Sequence, residues 1–582
     1  MTDDGPLAAS PLLGALSPRL QEELLEAAGP ARVRAQEWLF HEGEPGDRLY
    51  VVRSGRLRVV AEREEGSRLL RLLGPGAVLG ELAVLTGAPR SGSVQALRDA
   101  DLLEIDGERF QELLQRSPEL GAGLATALAA QIQRGGSVEP AEAPTAVVTV
   151  AAVPGASTEG AWHAFREGFA ALGDVVALEG PEKDAEPRDW GPRVGELERA
   201  HDYVLLRAEL DDASEWSSFC LRQADRVLVL TTAAGPPRAE LPEGCDVVFL
   251  EAPSADVVAA WSERTGFRSH HIVPWDTDLP EAARRIARRL TGQSLGLVLS
   301  GGGARAFSHI GVLQALEEEG LVVDRFGGTS MGAFVGAMAA LGWTPETMVD
   351  VCRREFSHRA APFSDYTFPR HALIRARRTA SMFRRLFGEL ALEQLTRPLF
   401  TVSADLLSSR MVVHRTGSIV EAVGASIAIP GLAPPVSRRS QLLVDGGVLN
   451  NLPIDVMLAE EPGAVVAVDV MRRLESPGDE PGQPPVIPTI LETLARATVL
   501  GSVERAETNR ALAHVLVTPE VQDVSLRNFR NLDRIVESGR RAAEEALAGG
   551  GREALVEARR RGAPLSAAAG SSLPSPATQA SR

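Results

Sequence analysis

The sequence predicts a multi-domain protein with an N-terminal β-roll or jelly roll, a middle α/β domain and a C-terminal α/β domain. The chain has 582 residues, which is enough for about three domains that each bury a core. Short β-like runs separated by glycine turns fill residues 35–106, and this pattern is typical of a small β-roll. From residue 146 onward, apolar runs that suit buried strands alternate with helical patterns, as they do in α/β folds.

Composition argues against several functional classes. The formal net charge is −17 with 24% charged residues, so no overall basic balance favours nucleic acid as a partner. The cysteines, Cys220, Cys245 and Cys352, are too widely spaced for a disulfide framework or a metal site. The N-terminus lacks a signal-peptide pattern, and no run of 18 apolar residues predicts a membrane span. We therefore expect a cytoplasmic protein.

The N-terminal domain is predicted to contain a series of short strands between two helices. The first helix covers residues 18–28 and the second residues 107–133. Runs that favour strands lie between them at residues 38–40, 49–52, 57–60, 69–73, 94–97 and 102–105.

Within this domain, residues 78–94 have the side chains that a sugar phosphate requires. Glu81 follows Gly80, and nine positions later Arg90 and Ser91 lie in a Pro-Arg-Ser turn. Arginine can form a charge-assisted, bidentate contact with phosphate, while a glutamate accepts hydrogen bonds from ribose hydroxyls. The glutamate and the arginine can therefore hold a sugar and its phosphate together.

This stretch resembles the phosphate-binding cassette of cyclic-nucleotide-binding domains, and the similarity extends over residues 12–134. The resemblance implies that Glu81 meets the ribose, and that Arg90 with Ser91 meets the cyclic phosphate. Ser91 favours cAMP over cGMP as the ligand. Gly92 departs from the family pattern, which usually has alanine at this position. The alternative is a β-roll that has lost its ligand and serves only as an interaction domain.

A linker composition at residues 135–145 separates the β-roll from an α/β connector domain at residues 146–290. Buried strands are predicted at residues 146–153, 175–178, 203–206, 226–230 and 247–250. Residues 150–157 lie where a phosphate loop could start, but they lack the Gly-Lys-Ser/Thr ending that binds nucleoside triphosphates. We expect no chemistry in this domain, which would act as a structural connector or a regulatory relay.

The next stretch, residues 295–341, is predicted to run strand, glycine turn, helix, strand, tight turn and helix. The strands are expected at residues 295–300 and 321–326, and the helices at residues 309–319 and 333–341. Ser330 lies in Gly328-Thr-Ser-Met-Gly332 between the second strand and the second helix. This is the context of a nucleophile elbow, a strained turn that exposes a serine. A second Gly-x-Ser-x-Gly match at residues 292–296 precedes a strand, which favours a linker.

A nucleophilic serine needs a base, and Asp445 is the candidate. An apolar strand at residues 442–444 ends in Asp445, which is followed by Gly446 and Gly447. The alternative is an ordinary turn aspartate, which Asp-Gly pairs usually are.

Three motifs of this region resemble those of the patatin-like phospholipases. They are Gly-Gly-Gly-Ala-Arg at residues 301–305, Gly-Thr-Ser-Met-Gly at residues 328–332 and Asp-Gly-Gly at residues 445–447. Residues 308–313, 425–431 and 450–453 match as well. Together with the β-roll and a matching middle region at residues 201–231, the chain is similar to the neuropathy-target-esterase group of lysophospholipases over residues 12–470. It departs from that group in having no N-terminal membrane helix, one cyclic-nucleotide domain, and Ala306 in place of a glycine.

The resemblance implies a three-layer α/β/α sandwich over residues 296–470, with a Ser–Asp dyad instead of a triad. Ser330 would be the nucleophile and Asp445 the base, with no catalytic metal or cofactor. The oxyanion hole would be formed by the loop residues Gly301, Gly302, Gly303, Ala304 and Arg305. Space for the dyad would be left by Gly328, Gly332, Gly446 and Gly447. His309 falls early on the helix after the loop, and we expect it to have a structural role.

Residues 353–385 are rich in arginine: Arg353, Arg354, Arg359, Arg370, Arg375, Arg377, Arg378, Arg384 and Arg385. The interleaved apolar residues include Phe356, Phe363, Phe368, Met382 and Phe383. Such a surface could rest on anionic lipid headgroups and lead substrate to the site. The alternative is a solvated helix face packed through its aliphatic stems.

The C-terminal part is predicted to contain an acidic, proline-rich segment at residues 475–485, helices within residues 488–548 and a disordered tail at residues 563–582. The whole chain is thus expected to be a serine lipid acyl hydrolase that acts on phospholipid or lysophospholipid under cyclic-nucleotide control. It would be cytoplasmic, or peripheral on the inner face of the membrane. The alternatives are a cyclic-nucleotide-responsive scaffold with an inactive hydrolase domain, and a thioesterase or acyltransferase that uses the same dyad.

Overall fold

The computed structural model describes most of the chain. The described residues are 17–63, 66–118, 120–121, 146–153, 159–182, 186–210, 214–232, 235, 241–242, 244–274, 278–356, 362–368, 370–471, 493–494, 497–498, 500–526 and 528–560. The predicted linker at residues 135–145, the acidic segment at residues 475–485 and the tail at residues 563–582 lie outside them, and so does Arg359.

The N-terminal domain is an antiparallel β-roll, which confirms the predicted fold. Its elements are α1 (Pro18–Glu26), β1 (Ala28–Val33), β2 (Trp38–Phe40), β3 (Arg48–Arg63), β4 (Gly66–Leu73), β5 (Val78–Leu79), α2 (Glu81–Thr86), β6 (Ser93–Asp106) and α3 (Gly107–Arg116). The sheet has the order β1-β6-β3-β4, with β2 paired to β6 and β5 paired to β3. Two apolar clusters fill the roll.

The strand boundaries in the β-roll differ from the prediction in two respects. The predicted runs 49–52 and 57–60 both belong to β3, and 94–97 with 102–105 both belong to β6. The register of this pair shifts between Val52 and Leu57, and such bulges break the alternation that marks a continuous strand. Strand β1 was not predicted because it contains Gly29 and Pro30, which are rare in strands.

The middle domain is a parallel sheet covered by helices on both faces. Its elements are β7 (Ala146–Ala152), α4 (Glu159–Ala170), β8 (Val175–Leu178), α5 (Pro187–Ala200), β9 (Tyr203–Glu209), α6 (Glu215–Gln223), β10 (Arg226–Thr231), β11 (Asp246–Phe249), α7 (Ala255–Thr265), β12 (Ser269–Ile272) and α8 (Leu279–Leu290). The order is β12-β11-β10-β7-β9-β8. Helices α4 and α8 pack on one face, and α5, α6 and α7 on the other. Strand β12 has the sequence Ser-His-His-Ile, which gives no apolar signal.

A buried ion cluster joins the β-roll to the middle domain. Arg56 on β3 contacts Glu198 and Asp225, each at 3.2 Å. Arg98 on β6 donates to Glu198 Oε2 at 2.6 Å. All four side chains are buried. We call Arg56, Arg98, Glu198 and Asp225 the junction cluster.

Helix α5 approaches the β-roll closely because two of its residues are glycines. A Cβ at Gly195 would lie 3.2 Å from Ser54 Cβ, and one at Gly191 would lie 3.1 Å from Asp101 Oδ2. Gly191, Gly195 and Glu198 share one helix face through their spacing of four and three residues. This face therefore holds the β-roll through shape and charge together.

The C-terminal domain is a three-layer α/β/α sandwich around an eight-stranded sheet. Its strands are β13 (Leu295–Leu299), β14 (Arg325–Thr329), β15 (Leu399–Asp405), β16 (Arg410–His414), β17 (Val436–Arg438), β18 (Gln441–Asp445), β19 (Ala464–Val468) and β20 (Val515–Val517). Its helices are α9 (Ser308–Glu318), α10 (Met331–Ala340), α11 (Pro345–Phe356), α12 (Arg377–Phe387), α13 (Ile419–Ser426), α14 (Ile454–Glu460), α15 (Val503–Arg510), α16 (Leu532–Ala546) and α17 (Arg552–Arg560).

The central strands of this sheet are parallel. The order is β17-β18-β15-β14-β13-β19-β20, with β16 paired to β15. Strands β16 and β18 each pair antiparallel with β15, and β17 pairs antiparallel with β18. A large apolar cluster that includes α9 to α13 and α16 covers one face, and a smaller one with α14 covers the other. Among the described ranges, no helix has both the length and the apolar character needed to cross a bilayer.

Two features of this domain extend or correct the prediction. The strand expected at residues 321–326 begins only at Arg325 and runs through Thr329. The prediction placed it too early because two of its five residues are glycines, which are rare in strands. The sheet continues past residue 470, since β20 pairs with β19. Helix α16 also packs directly on α9, where a Cβ at Gly311 or Gly539 would collide with the backbone of the other helix. The boundary predicted at residue 470 therefore divides this sheet.

Candidate active site

Ser330 occupies a sharp turn between β14 and α10. Its backbone angles are φ 56° and ψ −128°, a conformation that costs a non-glycine residue strain energy. The flanking glycines are required here: a Cβ at Gly328 would lie 2.8 Å from Ala333 N, and one at Gly332 would collide with Leu299 O. The turn thus has the geometry of the predicted elbow.

The turn brings Ser330 against Asp445 at the end of β18. The serine Oγ donates to Asp445 Oδ2 at 2.7 Å. Gly447 N–H donates to the second carboxylate oxygen at 2.8 Å, which fixes the orientation of the carboxylate. A Cβ at Gly446 would collide with Val402 O, so glycine is needed for this close approach.

Burial sets the basicity of Asp445. The side chain is almost fully buried, and this desolvation raises the pKa of the carboxyl to about 6, against the lowering effect of the hydrogen bonds from Ser330 and Gly447. A carboxylate with a raised pKa holds a proton more readily while remaining ionised near neutral pH. Asp445 is therefore suited to accept the Ser330 proton.

Ser426, at the end of α13, also supports the nucleophile. It accepts a hydrogen bond from Ser330 N–H at 2.9 Å and donates to Val402 O at 2.6 Å. The sequence assigned no role to this residue, although it lies in the family-like stretch at residues 425–431. Its side chain fixes the backbone of the strained turn.

The predicted oxyanion loop uses most of its N–H groups inside the protein. Three of them have acceptors: Gly301 N–H donates to Asn451 O at 3.4 Å, Ala304 N–H to Leu526 O at 2.8 Å and Arg305 N–H to Gly302 O at 3.2 Å. Of the five predicted residues, Gly301, Ala304 and Arg305 thus have their N–H groups occupied by structural hydrogen bonds.

Gly302 and Gly303 are the remaining members of the loop. Within the part of the chain that the structure describes, neither N–H group donates a backbone hydrogen bond. Neither position admits a larger residue, because a Cβ at Gly302 would collide with Val470 and one at Gly303 with Leu526 O. Gly303 also has φ +56°. These two N–H groups are the ones available to a ligand.

Side chains from distant parts of the chain hold the loop in place. Asn451 Nδ2 donates to Gly301 O at 3.3 Å. Arg305 donates through Nε to Val524 O at 2.8 Å and through Nη2 to Gln522 O at 2.7 Å. The guanidinium, whose role the sequence left open, thus binds the segment between β20 and α16.

Two further residues near the loop were singled out in the sequence. Ala306 lies buried in the 3₁₀ helix Gly303–Phe307 without a positive φ, so alanine fits there without strain. His309 is buried, and its Nε2 lies 2.9 Å from Ser300 O. Burial lowers the pKa of His309 to about 4. This histidine is therefore neutral, and its ring hydrogen bond goes to a backbone carbonyl and not to Ser330.

A second candidate site lies in the β-roll, where Gly80, Glu81 and Arg90 meet. Gly80 has φ +84° and precedes α2, which begins with the buried Glu81. The Arg90 guanidinium carbon lies 4.2 Å from the centre of the Phe40 ring, and Nη1 donates to Gly80 O at 3.4 Å. Burial raises the pKa of Glu81. Ser91 is exposed beside them.

Arg90 is a buried cation with spare hydrogen-bonding capacity. Its Nε has no partner, and among the described residues no carboxylate lies within ion-pair distance. Burial lowers the pKa of this arginine, against the raising effect of Tyr50 and nearby carboxylates. An anion at this point would compensate its positive charge.

The arginine-rich segment separates into core and surface residues. Phe356, Met382 and Phe383 belong to the domain core, whereas Phe368 is 87% exposed. The three cysteines are free and buried. In the described ranges no cluster of His, Cys, Asp or Glu could hold a metal ion.

Comparison with known proteins matches two family profiles to these two sites. The profile of patatin-like phospholipases matches residues 297–458, and that of the cyclic nucleotide-binding domain matches residues 30–117.

Similar proteins are found in bacteria, fungi and mammals. An uncharacterized NTE family protein of Mycobacterium tuberculosis (strain ATCC 25618 / H37Rv) is 34% identical over 569 residues, which cover 92% of this chain and 95% of that protein. Lysophospholipase NTE1 of Cryptococcus neoformans (serotype D, strain JEC21) is 28% identical over 657 residues, which cover 93% of this chain and 39% of that protein. Patatin-like phospholipase domain-containing protein 6 of Homo sapiens is 26% identical over 622 residues, which cover 90% of this chain and 45% of that protein. The chain belongs to the NTE family, with a patatin-like phospholipase domain that follows a cyclic nucleotide-binding domain.

Proposed function

We propose that this protein is a serine lipid acyl hydrolase that cleaves lysophospholipids or phospholipids at Ser330. The carrying observation is the 2.7 Å hydrogen bond from Ser330 Oγ to the buried carboxylate of Asp445. The relative named lysophospholipase supports the substrate class. The dyad requires no metal or cofactor for this reaction.

The reaction proceeds in two acyl transfers. Asp445 accepts the proton of Ser330 Oγ while that oxygen attacks the ester carbonyl carbon. The tetrahedral oxyanion accepts hydrogen bonds from Gly302 and Gly303 N–H, and such preorganised donors are each worth roughly 10²–10³ in rate. The intermediate then expels the alcohol, which takes the proton from Asp445. Water attacks the acyl-serine by the same route and releases the fatty acid.

The test is fatty-acid release from a panel of lysophospholipids. Wild type should release fatty acid, whereas Ser330→Ala and Asp445→Asn should lose release with their folds intact. Ser294→Ala is the matched control, because Ser294 lies in the other Gly-x-Ser-x-Gly stretch and hydrogen-bonds to Glu461 and Pro462. Retained release in Ser330→Ala would refute the assignment.

Two alternatives have separate tests. An inactive scaffold would not react with a fluorophosphonate probe, which labels an activated serine covalently. A thioesterase or acyltransferase would label but would release little free fatty acid from lysophospholipid, so identification of the products distinguishes it.

We also propose that the β-roll binds a cyclic nucleotide and regulates the hydrolase. The support is Arg90, a buried guanidinium with an unpartnered Nε, beside Glu81 for the ribose hydroxyl and Ser91 for the phosphate. We favour cAMP because of Ser91. Isothermal titration with cAMP and cGMP should show binding that Arg90→Leu abolishes. Binding that leaves hydrolysis unchanged would remove the regulatory part.

The cellular setting follows from the substrate. Lysophospholipids and phospholipids are held in membranes, so we propose that the protein works in the cytoplasm and contacts the inner membrane face peripherally through residues 353–385. Cell fractionation at low and high salt would test this placement, since a peripheral protein is released when charge interactions are screened.

A further inference from the structure

One surface of this acidic protein is strongly basic. The chain has a net charge of −17, yet residues 366–388 contain six arginines and no aspartate or glutamate. Asp365, which precedes them, caps α12 by accepting from Arg377 N–H at 2.8 Å. The contrast in charge is therefore local to one stretch of the C-terminal domain.

The stretch begins with a hairpin that exposes two aromatic residues. Tyr366 pairs with Ile374 in an isolated antiparallel bridge, and Thr367 N–H donates to Leu373 O at 3.0 Å. Phe368, near the tip, is 87% exposed, and Tyr366 is 55% exposed. We call the described residues 365–368 and 370–375 the aromatic hairpin. A phenylalanine this exposed is unfavourable in water and suits an apolar partner.

Four exposed arginines around the hairpin have no acidic partners in the described part of the chain. Among the described residues, no carboxylate forms an ion pair with any of the exposed side chains Arg370, Arg375, Arg377 and Arg384. Neighbouring arginines differ, because Arg353 pairs with Asp533 at 2.7 Å and Arg385 with Glu355 at 2.6 Å. The positive charge of these four arginines is thus not neutralised by any carboxylate of the described residues.

The aromatic hairpin is connected directly to the backbone beside the dyad. Leu373 N–H donates to Gly431 O and Ile374 N–H to Leu432 O, each at 3.0 Å. Three residues before Gly431, Ala428 O accepts from Asp445 N–H at 2.9 Å. The hairpin therefore lies on the same loop that positions the base.

Helix α12 fixes this surface to the elbow helix. Phe383 and Phe387 on its buried side pack on Phe334 of α10, with ring centroids 5.5 Å and 6.1 Å apart. Arg377 and Arg384 are exposed on the other side of α12. The arrangement is that of an amphipathic helix lying on a rigid base.

We propose that the aromatic hairpin and the exposed side of α12 dock on an anionic phospholipid bilayer. Phe368 and Tyr366 enter the interfacial region, and the unpaired arginines contact the headgroups. The inference rests on the proposed function in that docking brings a membrane-held ester to Ser330. The arginines are exposed and spread along the surface, so they suit a sheet of headgroups and not one small phosphate.

Co-sedimentation of the full chain with vesicles tests the proposal. Wild type should bind vesicles of phosphatidylglycerol and phosphatidylcholine, and it should bind pure phosphatidylcholine much more weakly. Arg377→Gln with Arg384→Gln should weaken binding by about 25-fold, since each arginine near an anionic surface contributes about fivefold. Phe368→Ala should weaken it by about tenfold.

Matched variants control for charge and for exposed apolar area. Arg534→Gln with Arg541→Gln removes the same charge from arginines that pair with Asp523 and Glu520. Val322→Ala removes an exposed side chain that precedes β14, at the strand end opposite Ser330. Both controls should bind like wild type.

Hydrolysis of a short monomeric ester separates this proposal from the proposed function. The hairpin and arginine variants should retain that activity while losing activity on lysophospholipid held in anionic vesicles. Vesicle binding without any ester hydrolysis would refute the proposed function and support the surface. If Phe368→Ala and the double arginine variant bind vesicles as tightly as wild type, the proposed docking surface is wrong.

Discussion

Two unfavourable features meet at Ser330 and Asp445. The serine backbone has a positive φ, and the neighbouring carboxyl is removed from water. Both persist because surrounding residues fix them: Ser426 holds the serine N–H, and Gly447 N–H holds the carboxylate. Each feature costs stability and is useful only for chemistry, as is common for residues at functional sites.

The first prediction concerns the pH dependence of hydrolysis. Asp445 must be ionised to accept a proton, and burial raises its pKa to about 6. We therefore expect kcat/KM on a monomeric ester to fall about tenfold per pH unit below pH 6 and to level off above it. His309 and His414, whose pKa values burial lowers to about 4, stay neutral in this range. A profile that is flat down to pH 5 would contradict the assignment of Asp445 as the base.

The second prediction concerns the stability of the dyad. Because the folded-state pKa of Asp445 lies above its ordinary value of 3.8, folding favours the protonated carboxyl, and this contribution is lost as pH rises through 6. Asp445→Asn does not titrate. We expect it to be inactive yet to melt at a higher temperature than wild type at pH 8, with a smaller difference at pH 5. An equal difference at both pH values would contradict this.

At the residue scale, the sequence predicted which side chains lie together better than which backbone N–H groups are free to bind a ligand. It predicted that Ser330 and Asp445 would lie together, and the structure places them 2.7 Å apart. It could not distinguish the five N–H groups of the glycine loop. Which groups are occupied depends on Asn451 and Leu526, acceptors that only the folded chain brings to the loop.

At the scale of elements, glycine determines how closely two neighbouring helices pack. Helices α9 and α16 cross where Gly311 and Gly539 face each other's backbone. This crossing places the segment that binds Arg305 beside the oxyanion loop. Periodicity in the sequence predicts a helix at α16 but not its neighbour, because helical patterns do not encode which helices cross. The split of the C-terminal domain at residue 470 was wrong for this reason.

The third prediction tests this crossing. Gly539→Ala should destabilise the catalytic domain, because its Cβ would meet Ser308 O at the crossing, although alanine favours helices by about 1 kcal/mol. We expect a lower melting temperature and reduced ester hydrolysis. Gly549→Ala is the control, since nothing lies within 4 Å of its Cβ position. Unchanged melting in Gly539→Ala would show that the helices do not pack this closely.

At the scale of the whole molecule, the β-roll and the middle domain are joined by buried charge. The junction cluster places two arginines and two carboxylates out of water. Removing one member leaves the cluster with one buried charge in excess, at a cost of up to about 3–5 kcal/mol. No sequence pattern predicted that these residues would meet, although Asp225 lies in the family-like stretch at residues 201–231.

The fourth prediction follows from this junction. Arg98→Met should loosen the β-roll from the middle domain and add a second transition in calorimetry, and any effect of cyclic nucleotide on hydrolysis should weaken. Arg222→Met is the matched control: Arg222 pairs with Asp99 across the same junction but is 43% exposed, so its loss should cost at most about 1 kcal/mol. Identical unfolding in both variants would argue against the cluster as the joint.

The contacts of Arg305 have a consequence for how the enzyme is made. Its guanidinium binds Val524 O, 219 residues further along the chain, and Ala304 N–H binds Leu526 O. At about 5–20 residues per second, a ribosome needs roughly 10–45 s to add that length. For most of this interval Ser330 is already part of the nascent chain, whereas the segment that holds Ala304 and Arg305 is not. The hydrolase would therefore become active only after residue 526 has been made and has folded back onto the loop.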